Sequence, residues 1–268
     1  FEIAEQEQID FNLAKRGILH FYHNKADFDF AIRVNDLLCQ GGLERYQVSL
    51  DEIRQIEPSL TGQYYAGFYC PGDATGDIHK FTVGLAQVTM QQGLRYIFGR
   101  DVHDIQLDAQ QVQLSYRPAI EDPLADQPMV ETLHADAVLI CGGVGSYQLA
   151  RQAGDRVNVY PVKGYSITVN LQDEQSQKQA PWVSLLDESA KIVTSRLGEN
   201  RFRVAGTAEF NGYNRDIRAD RIFPLLQWVR RNFHLNACNS VPWSGLRPMT
   251  PNLMPRVEQG KHPRVFYN

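Results

Sequence analysis

Apolar and polar residues recur along the chain with two periodicities, one typical of strands and one typical of helices. Short runs that are apolar, aromatic or alternating predict strands at 17–23, 64–70, 94–98, 102–107, 112–116, 134–141, 157–171, 182–186, 191–195, 201–206 and 264–268. Helical spacing predicts helices at 24–40, 49–57, 79–92, 146–153 and 218–233. Because strand–helix pairs are mixed with runs of consecutive strands, the expected fold class is α/β or α+β with a large mixed or antiparallel sheet.

Three local signals refine these elements. Ser49 stands three residues before Glu52, which is the form of a capping box at a helix start. Pro224 falls within the first two turns of the last predicted helix, either inside the helix or where its regular part begins. The acidic, proline-bearing stretch 118–127 predicts an exposed loop.

Composition and charge narrow the class of protein. The 268 residues are 43% hydrophobic and 22% charged, which is typical of a folded globular protein. A chain of this length gives a soft expectation of about two domains. The net charge is −4 and the sequence contains no basic cluster, which argues against nucleic-acid binding.

The apolar runs and the cysteines bear on the cellular compartment. The longest apolar runs, such as 137–141, are far shorter than the ~20 residues that cross a bilayer. Cys39, Cys70, Cys141 and Cys238 form no CxxC pair and no dense disulfide framework. We therefore expect a protein of a reducing, cytoplasmic compartment whose chain does not cross a membrane.

Arg247 is the first candidate for binding chemistry. It stands in the segment 243–251, WSGLRPMTP, between Gly-Leu and a proline. A stiffened backbone and a planar guanidinium suit a bidentate grip on a carboxylate. An ordinary structural arginine is the alternative interpretation.

A glycine turn is the second candidate. Cys141, Gly142 and Gly143 follow the buried strand pattern that begins at residue 134. Missing side chains let a ligand approach the backbone, and the N-terminus of the helix that follows favours an anionic group. A tight structural turn is the alternative interpretation.

The strand predicted at 157–171 contains both a proline and a glycine. Pro161 and Gly164 indicate an edge position, or the close approach of another backbone or a ligand. Lys163 and Tyr165 are therefore possible site residues, and a half-buried sheet aromatic is the alternative for Tyr165.

Other catalytic classes find no support in the sequence. His20, His23 and His79 do not have the spacing of a standard metal site. No serine lies in a nucleophile-elbow motif, and no pair of acids stands out as a hydrolytic couple. We assign no metal, and we nominate no catalytic acid or base.

Six segments, taken in order, resemble the D-amino acid dehydrogenases, flavoproteins of the D-amino acid oxidase and glycine oxidase superfamily. The segments are GDATGDIHKFT at 72–82, ADAVLICGGVGSYQLA at 135–150, VYPVKGYSITV at 159–169, LLDESAKIVTSR at 185–196, VAGTAEFNGYN at 204–214 and WSGLRPMTPNLMP at 243–255. Because all six occur in the family's order, the resemblance extends almost from end to end of the chain.

The resemblance implies an activity, a cofactor and partners. It implies FAD and the oxidative deamination of D-amino acids such as D-alanine to 2-oxo acids and ammonia. It also implies a quinone-type electron acceptor at the membrane, for a protein that is cytoplasmic or peripheral on the cytoplasmic face of the inner membrane. Two other interpretations stay open, namely another amine-oxidising flavoprotein similar to glycine or sarcosine oxidase, and a non-catalytic fragment that does not bind FAD alone.

The same resemblance implies roles for individual residues. Arg247 is similar to the family's carboxylate-binding arginine, and Tyr165 and Lys191 are implied to bind substrate with it. The residues implied to contact FAD are Val102, Cys141, Gly142, Gly143 and Gly164. The sequence departs from the pattern at Ala190, where relatives can carry a tyrosine beside Lys191.

The resemblance also implies a domain organisation. We expect residues 1–70 and 157–247 in a substrate domain, 71–156 in an incomplete, Rossmann-like FAD-binding domain, and 248–268 in the return to that domain. The GxGxxG unit and the glycine-rich flavin-wrapping segment of the family find no match. We therefore expect an internal fragment of a longer enzyme.

Overall fold

The computed structural model describes residues 1–119 and 129–268. Within these residues the chain forms seven α-helices, fourteen strands and a 3₁₀ turn at Gly143–Gly145. The helices are α1 (Glu2–Gln6), α2 (Lys25–Gln40), α3 (Leu50–Ile56), α4 (Ile78–Gln91), α5 (Ser146–Gln152), α6 (Glu174–Gln179) and α7 (Ala219–Asn232). The strands are β1 (Ile18–Tyr22), β2 (Tyr46–Val48), β3 (Ala66–Cys70), β4 (Arg100–Leu107), β5 (Val112–Pro118), β6 (Glu131–Ala135), β7 (Val138–Ile140), β8 (Tyr160–Asn170), β9 (Ser184–Asp187), β10 (Ile192–Arg196), β11 (Arg201–Phe210), β12 (Val241–Met249), β13 (Glu258–Gln259) and β14 (Val265–Tyr267).

Local sequence explains how several helices begin. The capping box at α3 is confirmed, because the Ser49 side chain accepts from the Glu52 N–H and the Glu52 carboxylate accepts from the Ser49 N–H. Asn24 caps α2 by accepting from the N–H of Asp27. α7 continues through Pro224, so this helix forgoes one backbone hydrogen bond.

The predicted single strand at 134–141 is wrong, because this run of residues serves two different sheets. β6 pairs antiparallel with β5, whereas β7 pairs parallel with β14. The chain bends between the two strands at Asp136. An apolar run reveals burial but not the sheet to which each half belongs.

Three further segments differ from the sequence-based expectation or lie partly outside the described residues. The predicted strand at 94–98 is wrong, since this run pairs with no described strand and an apolar pattern makes no strand without a hydrogen-bonded neighbour. β12 was not predicted, because Pro242 and Pro248 interrupt its pattern. Of the loop predicted at 118–127, residues 120–127 lie outside the described residues.

A large mixed sheet is the main feature of the fold, and the predicted α/β class is confirmed. Its eight strands follow the order β12-β8-β11-β10-β9-β1-β3-β2. β1 is parallel to β9 on one side and antiparallel to β3 on the other. Two smaller sheets, β13-β14-β7 and β4-β5-β6, have three strands each.

The chain divides into two compact units. Unit 1 consists of residues 1–93, 164–209 and 215–245. Unit 2 consists of residues 94–163, 210–214 and 246–268. We expected boundaries after residues 70, 156 and 247, whereas the units divide after residues 93, 163, 209, 214 and 245. α4 therefore belongs to unit 1. The assignment of substrate or FAD to either part of the chain stays a prediction.

Each unit has its own apolar core. In unit 1 the core lies between the large sheet and α7, where Leu19, Phe21, Leu185, Phe202 and Val229 are fully buried. The core of unit 2 joins β4, β5, β7, α5 and β14 through the residues Ile105, Val112, Ile140, Ala150 and Val265. Burial of these side chains supplies the main driving force for each unit.

Candidate functional site

Arg247 lies near the end of β12, in the part of the strand that belongs to unit 2. Its side chain is exposed, and among the described residues it makes no hydrogen bond or ion pair. A guanidinium that no carboxylate neutralises remains available to an anionic ligand. The proline after it disfavours helical backbone at Arg247 and favours the extended conformation of a strand.

Unit 2 contains an apolar cavity of about 330 Å³, and all of the residues that line it belong to this unit. Pro248, Met249 and Thr250 line it, so the wall begins one residue after Arg247. Ile140 and Tyr267, the last residues of the parallel neighbours β7 and β14, also line it. Ligands of open α/β sheets bind outside the carboxyl ends of the strands, and the volume is in the range of small-molecule sites.

The predicted glycine turn forms part of the wall of this cavity. Gly143 lines the cavity and has φ +56, a left-handed conformation that favours glycine. A Cβ there would come no closer than 4.0 Å to the Pro248 side chain, so conformation rather than space requires glycine. Cys141 and Gly142 precede it as exposed residues, and Cys141 is a free thiol.

A hydrogen-bonded tyrosine is among the residues that line the cavity. Tyr267 is buried and donates its hydroxyl to the Asp155 carboxylate at 2.8 Å. Burial, and then the hydrogen bond to Asp155, raise the pKa of Tyr267 above its ordinary value, so the hydroxyl stays protonated. The Arg256 guanidinium stacks 4.6 Å from the centre of its ring.

The residues of the cavity fit part of a flavin cofactor. Its wall combines apolar side chains with glycine backbone that carries no Cβ, and both suit a flat aromatic ring system. Gly143 is thus brought to a candidate site, whereas Val102 is not among the residues that line the cavity. Val102 lies on β4 just before a β-bulge, and its contact with FAD stays a prediction.

Tyr165 and Gly164 lie on β8 in unit 1 and are buried. The Tyr165 hydroxyl donates to the Glu209 carboxylate at 2.6 Å. Glu209 also forms ion pairs with Arg218 and Arg221. The hydroxyl is therefore engaged in a buried network, and the substrate-binding role of Tyr165 stays a prediction.

The Lys163 side chain is fully buried in unit 2, and its ammonium donates to the Asn214 side chain at 2.8 Å. This contact gives a structural reason for a lysine within β8.

Lys191 stands in the turn that joins β9 to β10. Its backbone is left-handed, with φ +54, and its ammonium forms a 3.2 Å ion pair with Glu188. The side chain is 77% exposed. Ala190 beside it donates its N–H to the buried carboxylate of Asp187.

A cavity of about 250 Å³ that the sequence did not predict lies in unit 1, between the start of α4 and the strands β10 and β11. Asp77 caps α4 by accepting from the N–H groups of His79 and Lys80, and it forms an ion pair with Arg201. Burial raises the pKa of Asp77, but the contacts with Arg201 and the two N–H groups outweigh it and lower the pKa below its ordinary value. An aspartate before a predicted helix was the signal that the sequence offered.

No group of His, Cys, Asp or Glu among the described residues is arranged to hold a metal ion. Across the described ranges, no helix has both the length and the apolar character needed to pass through a bilayer.

Comparison with known proteins defines the class. The profile of the FAD dependent oxidoreductase family, DAO, matches residues 1–268. The chain belongs to this family of flavin-dependent enzymes, and FAD is the family's cofactor. The predicted resemblance is confirmed at this level.

Individual relatives refine the comparison. The chain is 50% identical over 269 residues to "D-amino acid dehydrogenase 3" of Mesorhizobium japonicum, which covers 100% of this chain and 63% of that protein. It is 35% identical over 272 residues to "D-amino acid dehydrogenase" of Dechloromonas aromatica, and this match covers 99% of this chain and 62% of that protein. The chain thus spans less than two thirds of the length of these relatives.

Solved structures support the fold. Glycine oxidase from Geobacillus kaustophilus superposes with a TM-score of 0.83 at 21% identity, covering 99% of this chain and 68% of that one. L-proline dehydrogenase from P. horikoshii superposes with a TM-score of 0.78 at 11% identity, covering 99% and 69%. The chain therefore shares the fold of these two structures.

Proposed function

We propose that the protein containing this chain oxidatively deaminates D-amino acids, such as D-alanine, to 2-oxo acids and ammonia. The relatives that are named D-amino acid dehydrogenases support this substrate class, with 50% identity along the whole chain in one case. The observation that carries the proposal is Arg247, an exposed guanidinium with no partner among the described residues, next to the wall of the unit 2 cavity.

Arg247 binds the carboxylate of the substrate in this proposal. Two parallel N–H donors match two carboxylate oxygens, and this fixes the orientation of the amino acid as well as its position. Tyr165 and Lys191 are proposed as further substrate-binding residues.

The cofactor-binding residues are Val102, Cys141, Gly142, Gly143 and Gly164 in this proposal. FAD, when bound, supplies the group that accepts a hydride from the substrate. The glycine backbone at Gly142 and Gly143 permits close approach, and the apolar wall of the unit 2 cavity excludes water. We nominate no residue of the chain as a catalytic acid or base.

The electron acceptor and location belong to the same proposal. Electrons are passed to a quinone-type acceptor, and the protein is cytoplasmic or peripheral on the cytoplasmic face of the inner membrane. Oxidation of D-alanine by the purified protein with a water-soluble quinone, but not with oxygen alone, is the expected result. Equal rates with oxygen would favour an oxidase.

Substitution of Arg247 tests the substrate-binding role in the whole protein. We expect Arg247→Met to raise KM for D-alanine at least about tenfold, because a charged hydrogen-bond pair is lost. Arg247→Lys keeps the charge but loses the planar fork, so its KM falls between those of the wild type and Arg247→Met. Arg54→Lys, a substitution of an exposed arginine on α3, serves as control. Unchanged kinetics in both Arg247 variants would remove Arg247 from the site.

Two simple measurements separate the alternative functions. A glycine or sarcosine oxidase would have a higher kcat/KM for glycine or sarcosine than for D-alanine. A non-catalytic fragment would give a colourless 268-residue chain after purification and incubation with FAD, whereas flavin absorption at about one per chain would exclude that interpretation.

A further inference from the structure

A second cavity, of about 510 Å³, lies wholly within unit 1, beside α2 and the β9–β10 turn. Arg45, Tyr22 and Lys191 line it on the polar side. Phe30, Ala31 and Val34, which succeed one another on one side of α2, also line it. We call it the Arg45 cavity.

Arg45 is unusual because its charge is buried without a counter-ion. The residue is only 8% exposed, and among the described residues no carboxylate forms an ion pair with it. Its Nε is buried with no hydrogen-bond partner. Its Nη2 makes one long contact, 3.4 Å, with the Tyr22 hydroxyl. Arginine is rarely buried this deeply unless it is paired.

An aromatic ring stacks against one face of this guanidinium. The Arg45 group lies 4.4 Å from the centre of the Phe68 ring, and such a stack offsets part of the cost of burial. Phe68 is itself fully buried. Since a ring face accepts no conventional hydrogen bond from the guanidinium edge, the stack leaves the buried Nε of Arg45 without an acceptor.

The two carboxylates that line the cavity already have donors of their own. Glu188 accepts from His20 at 3.1 Å and from Lys191 at 3.2 Å. Asp27 accepts from the Asn24 amide at 2.8 Å. The buried guanidinium of Arg45 therefore still lacks an anionic hydrogen-bond acceptor in this cavity.

We propose that the Arg45 cavity binds a small aliphatic monocarboxylate. Its carboxylate accepts hydrogen bonds from Arg45 and Tyr22, and its apolar part packs against Phe30, Ala31 and Val34. Amino acids and 2-oxo acids share this chemistry, so both are possible sources of the ligand. The inference does not rest on the proposed function, because Arg45 and Tyr22, which hold the carboxylate here, have no part in that function.

Calorimetric titration of the purified protein tests the proposal, with isovalerate as the probe. Isovalerate has the carboxylate and a branched apolar part but neither the amine nor the keto group of a substrate or product. We expect isovalerate to bind, and isovaleramide, which has nearly the same shape without the charge, to bind at least about tenfold more weakly. D-valine and 2-oxoisovalerate then distinguish the two sources of ligand.

Two different variants keep the test independent of folding defects. We expect Arg45→Gln to weaken isovalerate binding at least about tenfold. Val34→Trp leaves the guanidinium in place and fills the cavity from a partly exposed position on α2, so it should weaken binding to a similar degree. Arg54→Gln, which removes an exposed arginine of the same unit, is the matched control and should bind as the wild type does.

Arg247→Met separates this site from the proposed substrate site. We expect this variant to keep its isovalerate binding while its D-alanine kinetics change. Absence of isovalerate binding in the wild type, wild-type affinity in Val34→Trp, or loss of binding in Arg247→Met with normal binding in Arg45→Gln would overturn the proposal. Failure of the proposed function would appear instead as absence of D-alanine turnover.

Discussion

The indole N–H of Trp228 donates a 2.8 Å hydrogen bond to the carboxylate of Asp187, and both residues are buried. Asp187 also accepts from the backbone N–H groups of Ser189 and Ala190. This carboxylate therefore joins α7 to the turn that carries Glu188 and Lys191. The shape of one wall of the Arg45 cavity depends on this buried acid.

Trp228→Phe should lower the free energy of unfolding by about 1–3 kcal/mol, because the buried Asp187 carboxyl group loses one hydrogen-bond donor. Trp243→Phe is the matched control, since Trp243 is 53% exposed, and we expect a change within about 0.5 kcal/mol. Urea denaturation followed by circular dichroism measures both. Equal effects of the two substitutions would contradict this account of the Asp187 contact.

The pair formed by Glu188 and His20 predicts a pH dependence of stability. The hydrogen bond from His20, with a further one from Lys191, outweighs burial and lowers the pKa of Glu188 from 4.5 to about 2. A folded-state pKa below the unfolded value stabilises the fold above pH 4.5, and this contribution is lost as the pH falls from 4.5 to about 2.

We expect Glu188→Gln to flatten the acid side of the stability profile. The urea midpoint of the wild type should fall more steeply than that of the variant between pH 4.5 and the onset of acid unfolding, and the two slopes should agree near pH 7. Glu174→Gln, at an exposed ion pair on α6, is the control. Parallel profiles for wild type and Glu188→Gln would refute the assigned pKa direction.

The glycine turn after β7 offers a matched pair of substitutions. Gly143 has φ +56, whereas Gly145 has φ −72 and nothing within 4 Å of a built Cβ. Gly143→Ala should destabilise the protein by about 1 kcal/mol through backbone strain, and Gly145→Ala should be neutral or stabilising by up to about 1 kcal/mol. Thermal unfolding distinguishes them, and the opposite ranking would contradict the assigned backbone conformation.

Tyr165→Phe tests a predicted substrate-binding residue whose hydroxyl already donates a hydrogen bond within the protein. Loss of its 2.6 Å hydrogen bond to Glu209 should cost about 1 kcal/mol of stability, measured by urea denaturation. A simultaneous rise in KM for D-alanine would assign Tyr165 to the substrate site as well. A KM equal to that of the wild type would restrict its role to the core.

Local signals in the sequence predicted much of the fold. The Ser49–Glu52 capping box, the amphipathic spacing of α7 and the β1 pattern each depend on residues that are neighbours in the chain. The path of the chain through residues 134–141 did not follow from such signals, because β7 pairs with β14 far along the sequence. Hydrophobic periodicity records burial and carries no information about partners.

Some residues of the candidate sites could be predicted from the sequence, and others could not. The GLRP segment and the glycine turn were recognisable because proline and glycine constrain the backbone wherever they occur. Arg45 gave no signal, since its surroundings in the chain, GLERYQV, are those of an ordinary polar connection. Only the folded chain brings Phe68, Tyr22 and α2 around it.

The parallel pairing of β1 with β9 has a consequence for biosynthesis. His20 on β1 and its partner Glu188 are 168 residues apart, so a ribosome working at 5–20 residues per second releases the second roughly 10–30 seconds after the first. Throughout that interval β1 has one edge without its neighbour, and such edges are prone to pair with other chains. The nascent polypeptide thus passes through a period in which chaperone shielding of β1 would favour correct assembly.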